Sequence, residues 1–220
     1  QEKERQLREL NQNLAESQLT ALRAQMNPHF LFNCLNSINW YIIKNRPAEA
    51  SRYIAKFSRL IRLILDHSKN RQITLAQELE ALHLYLEMEA MRFEQRFEYH
   101  IDVSPDLDPE EVMVPPLIFQ PYIENAIWHG LMPKDGPGHL QLSLRQEDDG
   151  LVCTIEDNGI GRVAAAANTA HTARKRQSQG LKITEARIRQ VNGRVNGESP
   201  VQFTDLYYSD GQAAGTRVEV

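Results

Sequence analysis

The chain has 220 residues, of which 41% are hydrophobic and 25% are charged. This balance is typical of a soluble globular protein with one large domain or two smaller ones, and it excludes a disordered or fibrous chain. The formal net charge of -4 argues against broad attraction to nucleic acid or to an anionic membrane, because such binding needs a concentrated basic face. We therefore expect no direct nucleic-acid partner.

The sequence contains two cysteines, Cys34 and Cys153, in separate segments and without CxxC spacing. This pattern supports neither a disulfide framework nor a zinc site and fits inert core thiols in a reducing cytosol. No apolar run approaches the roughly 20 residues that a membrane-spanning helix needs, and no signal peptide opens the chain. Because the first residue is Gln1 rather than Met, we expect a fragment whose missing N-terminal part holds the membrane spans or sensor.

A heptad pattern opens the chain, with polar Ser17 filling one slot among the apolar positions Leu7, Leu10, Leu14 and Ala21. The spacing predicts a helix that pairs with another copy, and an amphipathic helix packed within its own domain is the alternative. The helix is predicted to continue to about Lys44, with a kink at Pro28 because proline removes a backbone donor.

A second helix is predicted from Ala48 to about His67, after a turn at residues 45–47. Its apolar residues lie on one broad face, so the two helices are expected to form an antiparallel hairpin. Two such hairpins would make a four-helix bundle. The composition shifts near residues 68–74, where a second domain begins.

The second part of the chain mixes helices and strands. Thr74 can cap a helix from Leu75 to about Phe93, and the alternation over residues 97–103 predicts a strand. Residues 115–130 are predicted to form a helix, with Pro115 and Pro116 in its first turn and Gly130 at its end.

The C-terminal part is predicted to supply the remaining strands and one helix. Strands are expected at residues 139–145 and 151–156, joined by a hairpin turn at Asp148-Asp149-Gly150. Residues 162–179 lack an amphipathic period and are predicted to form a mobile loop, followed by a helix over 180–191. Strands near 201–208 and 216–220 would complete an α+β sandwich.

The motif NPHFLFN at residues 27–33 places His29 on a predicted helix. Gln25, Asn33 and Asn36 fall within about 40° of it on a helical wheel, so the imidazole would lie on a polar stripe that a partner domain can reach. A neutral imidazole has a free lone pair for attack on a phosphoryl group when its other nitrogen holds the proton. Taken alone, a helical histidine is usually structural.

Two downstream motifs give that histidine a possible phosphate source. In DNGIG (residues 157–161), Asp157 follows a predicted strand and could read an exocyclic amino group, while the glycines permit close approach of a ligand. In ENAIWHG (residues 124–130), Asn125 suits magnesium through its amide oxygen. Each motif alone could be an ordinary turn or polar contact. The basic run at residues 174–176 could reach phosphates or be a solvated surface.

Together these motifs resemble the LytS/YehU family of sensor histidine kinases. The resemblance covers nearly the whole chain from about residue 19 and rests on LRAQM leading into NPHFLFN (22–33), YLEME with RF (85–89 and 92–93), PP before ENAIWHG (115–130), DNGIG (157–161), GL (180–181) and GT (215–216). DNGIG is shared across the wider GHKL ATPase superfamily, whereas the other long motifs are more specific.

The resemblance implies a dimerisation and phosphoacceptor hairpin over residues 1–70 and a Bergerat-fold (GHKL) catalytic domain over residues 71–220. His29 would accept the γ-phosphoryl group of ATP, Asn125 would hold Mg²⁺, and Asp157 would bind adenine. The other implied nucleotide-binding residues are His129, Gly159, Gly161, Gly180, Leu181 and Thr216. The family also implies a homodimer and a response regulator partner, often of the LytTR type.

Three positions depart from the family pattern. Ser178 replaces a glycine of the second glycine box, Trp128 stands where a basic residue is common, and Pro121 stands where gyrase-type ATPases carry a catalytic glutamate. We conclude from the sequence that the chain is an ATP-dependent protein-histidine kinase core. A nucleotide-binding pseudokinase, favoured by Ser178 and Trp128, is the alternative, and a gyrase-type ATPase is a third possibility.

Overall fold

The computed structural model describes residues 28–147, 150–168, 181–182, 184–189 and 199–220, with the backbone alone for residues 28, 29 and 168. The predicted heptad, the kink before Pro28 and the turn residues 148–149 lie outside the described residues. The same holds for the basic run at 174–176, Ser178 and Gly180.

Two helices, α1 (Pro28–Ile43) and α2 (Pro47–His67), form the predicted hairpin. Pro47 stands in the first turn of α2, where its missing N–H costs no helical hydrogen bond. The two helices share a buried face on which the Tyr53 hydroxyl donates to Cys34 Sγ at 3.6 Å. The four-helix bundle and the domain boundary near residue 70 stay predictions.

Helix α3 (Leu75–Arg92) begins with the predicted Thr74 cap. Thr74 Oγ1 accepts the Gln77 N–H at 3.2 Å, and Gln77 Oε1 accepts the Thr74 N–H at 3.0 Å. This reciprocal pair fixes the start of the helix. The sequence did not predict the short ladder beside it, in which β1 (Ile73–Thr74) pairs with β3 (Met113–Val114), because two residues are too few for an alternating pattern.

The main sheet has five strands in the order β2-β4-β5-β7-β6. Their bounds are β2 (Phe97–Val103), β4 (Gly138–Glu147), β5 (Gly150–Asp157), β6 (Gln202–Tyr207) and β7 (Ala213–Glu219). Strands β2 and β4 are parallel, and the other neighbours are antiparallel. All five strands agree with the predicted ones to within a few residues.

One face of this sheet is buried and the other is exposed to solvent. Leu142, Ile155 and Val218 lie side by side on the buried face of β4, β5 and β7. Alternate positions such as Gln141 and Arg217 are exposed. Helices and a mixed sheet share one core, so the α+β class predicted from the sequence is confirmed.

The helix predicted over residues 115–130 is wrong in its first five residues. Helix α4 spans Gln120–Asn125 and continues directly as a π-helix over Ala126–Leu131. The two prolines cannot start the helix, because each pushes its preceding residue into extended backbone and Leu117 has a φ of 58°. Pro121, in the first turn, is the proline that suits the helix start.

The mobile loop predicted over residues 162–179 is wrong at its start. Helix α5 covers Gly161–Asn168 and contacts β7 and the π-helix. Its four consecutive alanines have the highest helix propensity of any residue, which outweighs the missing amphipathic period. Further on, residues 181–182 and 184–189 are helical, as predicted. Among the described helices, none is both long and apolar enough to cross a membrane.

Candidate nucleotide and phosphoacceptor site

The motifs ENAIWHG and DNGIG contact each other through Gly130 and Gly159. A Cβ on Gly159 would lie 2.3 Å from the carbonyl carbon of Gly130, a distance that no side chain can occupy. The Ile160 N–H also donates to the Gly130 carbonyl oxygen at 3.1 Å. ENAIWHG and DNGIG therefore form one structural unit. The close approach that requires glycine at position 159 is one between two backbone segments.

Asp157 lies buried at this junction, with 5% of its surface exposed. Its Oδ1 accepts the Gly159 N–H at 2.8 Å, and the Thr216 backbone N–H also stabilises the carboxylate. Strand pairing sets Thr216 directly opposite Asp157. Burial nevertheless raises the pKa of Asp157 to about 6. The site thus holds a strong hydrogen-bond acceptor whose charge is costly to keep.

The remaining glycines of the site surround the same strand end. Gly215 has a φ of 137°, and a Cβ there would lie 1.8 Å from the Asp157 carbonyl oxygen. Gly161 is buried, has a φ of 77° and begins α5. Leu181 is partly buried against the core. The chain thus brings Gly159, Gly161 and Thr216 together around Asp157, whereas Leu181 lies on the helix that follows Gly180.

A lysine that the sequence analysis missed lies beside the same junction. Lys134 Nζ donates to the Asn158 carbonyl oxygen at 2.8 Å, and its charge lowers the pKa of Asp157. Asn158 in turn accepts the His139 N–H through Oδ1 at 2.8 Å. Lys134 follows ENAIWHG by four residues, in a turn without a recognisable motif, so no local signal could have marked it.

Asn125 ends α4 and is partly buried, and His129 lies on the π-helix, where burial lowers the pKa of its imidazole. Across the described ranges, no three His, Cys, Asp or Glu side chains form a cluster that could hold a metal. The amide oxygen of Asn125 is a ligand of the type that Mg²⁺ prefers, and Mg²⁺ bound with a nucleotide takes further ligands from phosphate oxygens and water.

His29 lies in the first turn of α1. The polar stripe predicted around it is wrong for Asn33, which is 8% exposed on the packed face of the hairpin with Phe30 and Cys34. Asn36 is exposed as expected, but so is Leu35, with 56% of its surface. The hairpin buries the side of α1 that carries Phe30, which turns several apolar side chains outward instead.

The comparisons with known proteins agree with this arrangement of motifs. A family model described as histidine kinase matches residues 17–97. The chain is 32% identical over 148 residues to the sensor histidine kinase YesM of Bacillus subtilis, with 67% of this chain and 25% of that protein covered. It is 31% identical to the sensor protein LytS of Staphylococcus epidermidis, with 72% of this chain and 26% of that protein covered.

A third relative is the sensor histidine kinase BtsS of Escherichia coli, 32% identical over 194 residues, with 88% of this chain and 32% of that protein covered. The chain belongs to the LytS family of sensor histidine kinases. It spans about a quarter to a third of the length of these relatives. It is also similar to a solved histidine kinase domain of Erythrobacter litoralis EL346, with a TM-score of 0.40 and 15% identity over 74% of this chain and 72% of that one.

In this LytS-family chain, Trp128 is covered by an arginine. The Arg92 guanidinium lies 4.2 Å from the centre of the Trp128 ring, a cation–π distance, and Phe93 meets the same ring edge-on at 5.1 Å. Arg92 Nη1 is 3.6 Å from Oε1 of fully buried Glu89. Burial raises the pKa of Glu89 to about 7. A cation from α3 thus lies over Trp128 and beside a buried acid.

Glu78 is a second buried acid whose role the sequence analysis missed. Its carboxylate accepts the Leu117 N–H at 2.8 Å and the Ile118 N–H at 2.9 Å, which holds the segment that precedes α4. Arg187 donates to the Pro116 carbonyl oxygen of the same segment at 2.9 Å. The sequence did contain a signal, because Glu78 lies on the same apolar stripe of the helix as Leu75 and Leu82. A carboxylate buried in this way needs hydrogen-bond donors from another segment.

Replacing Glu78 should change how stability depends on pH. Burial raises the pKa of Glu78 from 4.5 to about 7, so between these values the folded protein binds more protons than the unfolded chain. The stability of the wild type relative to Glu78→Gln should therefore fall by about 3 kcal/mol as the pH rises through this window and stay constant above it. Urea unfolding of both proteins across the window measures the difference.

The exposed Glu98→Gln variant controls for the change in net charge. Glu89 is present in both the wild type and Glu78→Gln, so its contribution to the pH dependence cancels when the two unfolding free energies are subtracted. A wild-type curve that runs parallel to the Glu78→Gln curve at every pH would contradict the prediction.

Proposed function

We propose that this chain is an ATP-dependent protein-histidine kinase core that phosphorylates His29. The observation that carries the proposal is the junction of ENAIWHG and DNGIG around buried Asp157, in a chain whose α1 begins within NPHFLFN. The junction supplies a nucleotide site and α1 supplies the acceptor. The relatives, which are named sensor histidine kinases, support the same function.

The transfer needs little covalent chemistry from the protein. The unprotonated ring nitrogen of His29 donates its lone pair to the γ-phosphorus, and the bond from that phosphorus to the β–γ bridging oxygen breaks, with its electron pair leaving on ADP. The other ring nitrogen then releases its proton to solvent. The contribution of the chain is to hold the two reactants in line.

Asp157 is proposed to accept a hydrogen bond from the adenine amino group. The Gly159 and Thr216 N–H groups, together with the charge of Lys134, favour the ionised carboxylate that this role needs. Gly161, Gly180, Leu181 and His129 are proposed to line the nucleotide. Thr216 supports Asp157 from β7. Asn125 would hold Mg²⁺ through its amide oxygen, and the ion would neutralise phosphate charge.

The pseudokinase alternative gains no support from the relatives. One of the two features that favoured it was Trp128, and Arg92 brings a cation to that position. The other, Ser178, lies outside the described residues. Because the relatives are named sensor histidine kinases, the catalytic proposal is the stronger one.

A homodimer is part of the proposed function. The hairpin leaves large apolar side chains exposed, namely Phe32, Leu35, Ile42, Ile43 and Ile54. A second copy would cover this face and complete the four-helix bundle. Light scattering at micromolar concentration should give a dimer mass. Leu35→Asp should shift it toward the monomer, whereas the exposed Asn36→Asp should not; monomeric wild type would contradict the dimer.

The partner that receives the phosphoryl group is proposed to be an aspartate of a response regulator of the LytTR type. Since this chain matches only about a quarter to a third of the relatives, which are named sensors, we propose that a sensing region in the whole protein controls this core from a membrane. The core itself would then lie on the cytoplasmic side.

Incubation with γ-labelled ATP tests the proposed reaction. A phosphoramidate on His29 should be labile in acid and stable in alkali, which distinguishes it from phosphoserine and phosphothreonine. Absence of such a label at millimolar ATP with Mg²⁺ would leave the chain as a binding module. The mass of a labelled peptide identifies the residue.

Asp157 and Asn125 should fail in different ways. Asp157→Asn weakens the acceptor, so ATP and ADP should both lose about 1–3 kcal/mol of binding whether or not Mg²⁺ is present. Asn125→Ala should mainly remove the Mg²⁺ dependence of ATP binding and abolish labelling. Calorimetric titrations with and without Mg²⁺ separate the two, and equal, metal-independent losses would show that the roles are wrongly assigned.

A further inference from the structure

The acceptor helix packs on a helix of its own chain. Phe30, the residue after His29, is buried, and its ring centre lies 5.2 Å from that of Tyr85 on α3. Further along the same pair of helices, the Tyr41 hydroxyl donates to the Met91 carbonyl oxygen at 2.9 Å. Two aromatic side chains of α1 therefore contact α3, one at Tyr85 and one in its last turn.

The other side of α3 faces the helix that carries ENAIWHG. Arg92 and Phe93, at the end of α3, contact the Trp128 ring at 4.2 and 5.1 Å. Helix α3 thus contacts the neighbour of His29 through Tyr85, and it contacts the π-helix that continues the helix of Asn125 through Arg92 and Phe93.

The hairpin is held to this α3 at several further points. Lys56 Nζ on α2 lies 2.5 Å from Glu87 Oε2, and Arg59 of α2 contacts Glu80. Residues 68–72 are the whole connection between α2 and β1. So short a link leaves the hairpin little freedom to dock on another chain in this arrangement.

We propose that His29 is phosphorylated by the nucleotide site of its own chain, and that Tyr85 is a positioning residue that aligns α1 with the helix of Asn125. The inference rests on the proposed function. Tyr85 touches neither ATP nor the reacting atoms. Its ring fixes the position of Phe30, and hence of His29, relative to the γ-phosphoryl group.

Tyr85→Leu should therefore lower the rate of autophosphorylation at saturating ATP by about 30-fold while leaving the KM for ATP within about twofold, because alignment and not binding is lost. Tyr85→Phe keeps the ring against Phe30 and should restore most of the rate. Tyr99→Leu, at a half-buried tyrosine of β2, is the matched control for lost stability. Equal rates in Tyr85→Leu and Tyr99→Leu, or a Tyr85→Phe rate as low as that of Tyr85→Leu, would overturn the positioning role.

Mixed dimers test transfer within the chain. One subunit carries His29→Gln and an intact nucleotide site; the other carries His29 and the double change Asn125→Ala and Asp157→Ala. Two affinity tags isolate the mixed species. Transfer within the chain predicts no label in the mixed dimer, whereas a labelled double variant would overturn it. If the protein proves monomeric, a labelling rate per chain that is independent of dilution supports the inference, and one that rises with concentration overturns it.

Failure of the proposed function has a different signature. Wild-type chains without acid-labile label, or a double variant that is labelled on its own, would contradict the kinase assignment or the nucleotide site. Neither result depends on which chain supplies the phosphoryl group.

Discussion

His29→Gln should abolish the acid-labile label and leave the affinity for ATP within about twofold of the wild type. The amide nitrogen of glutamine has no free lone pair for attack on phosphorus, so transfer cannot occur at that position. The proposed nucleotide contacts lie elsewhere, in β5, β7 and the π-helix, so binding should persist. Phosphorylation assays and ATP titrations of the same preparation measure both quantities.

The exposed His100→Gln, on β2, is the matched control and should be labelled like the wild type. Label that persists in His29→Gln would place the acceptor on another residue. Loss of ATP binding together with the label would mean that His29 supports the nucleotide site.

Gly159→Ala should destabilise the fold and weaken nucleotide binding together. The added Cβ would lie 2.3 Å from the carbonyl carbon of Gly130. No rotamer change relieves this clash, because the backbone fixes the positions of both atoms. We expect a loss of about 3 kcal/mol in the free energy of unfolding and a fall in ATP affinity of about tenfold or more. Urea unfolding and ATP titration measure the two effects.

Gly150→Ala is the control for this variant. The nearest atom to a Cβ at Gly150 is 3.8 Å away, so its unfolding free energy should change by less than about 0.5 kcal/mol. If Gly159→Ala behaves like Gly150→Ala, the contact between the two motifs is not required for the fold.

The long helices and strands were predicted well because the spacing of their apolar side chains indicates which face is buried. Strand β2 was predicted with its observed bounds, and α3 was predicted with its cap and to within a residue of its end. The start of α4 was not predictable in the same way. It depends on Glu78, whose carboxylate holds the Leu117 N–H from a position 39 residues earlier in the chain.

The candidate site shows the same division. The order of the motifs predicted one site that contains Asp157 and Asn125, and the structure brings the two motifs into contact at Gly130 and Gly159. The contact of Gly159 with Gly130 was not predicted, since Gly130 is far away in sequence and a close approach between backbones leaves no local pattern. Trp128 was taken as the loss of a cation, because its sequence position cannot show that Arg92 lies over its ring.

The position of β7 has a consequence for shortened versions of the chain. Although β7 comes last in sequence, it lies inside the sheet between β5 and β6. Ending the chain after residue 212 would remove all of β7. It would leave β6 without its neighbour, remove the Thr216 N–H from Asp157 and expose the inner edge of β5. Premature termination there should be as damaging as termination in the middle of the domain.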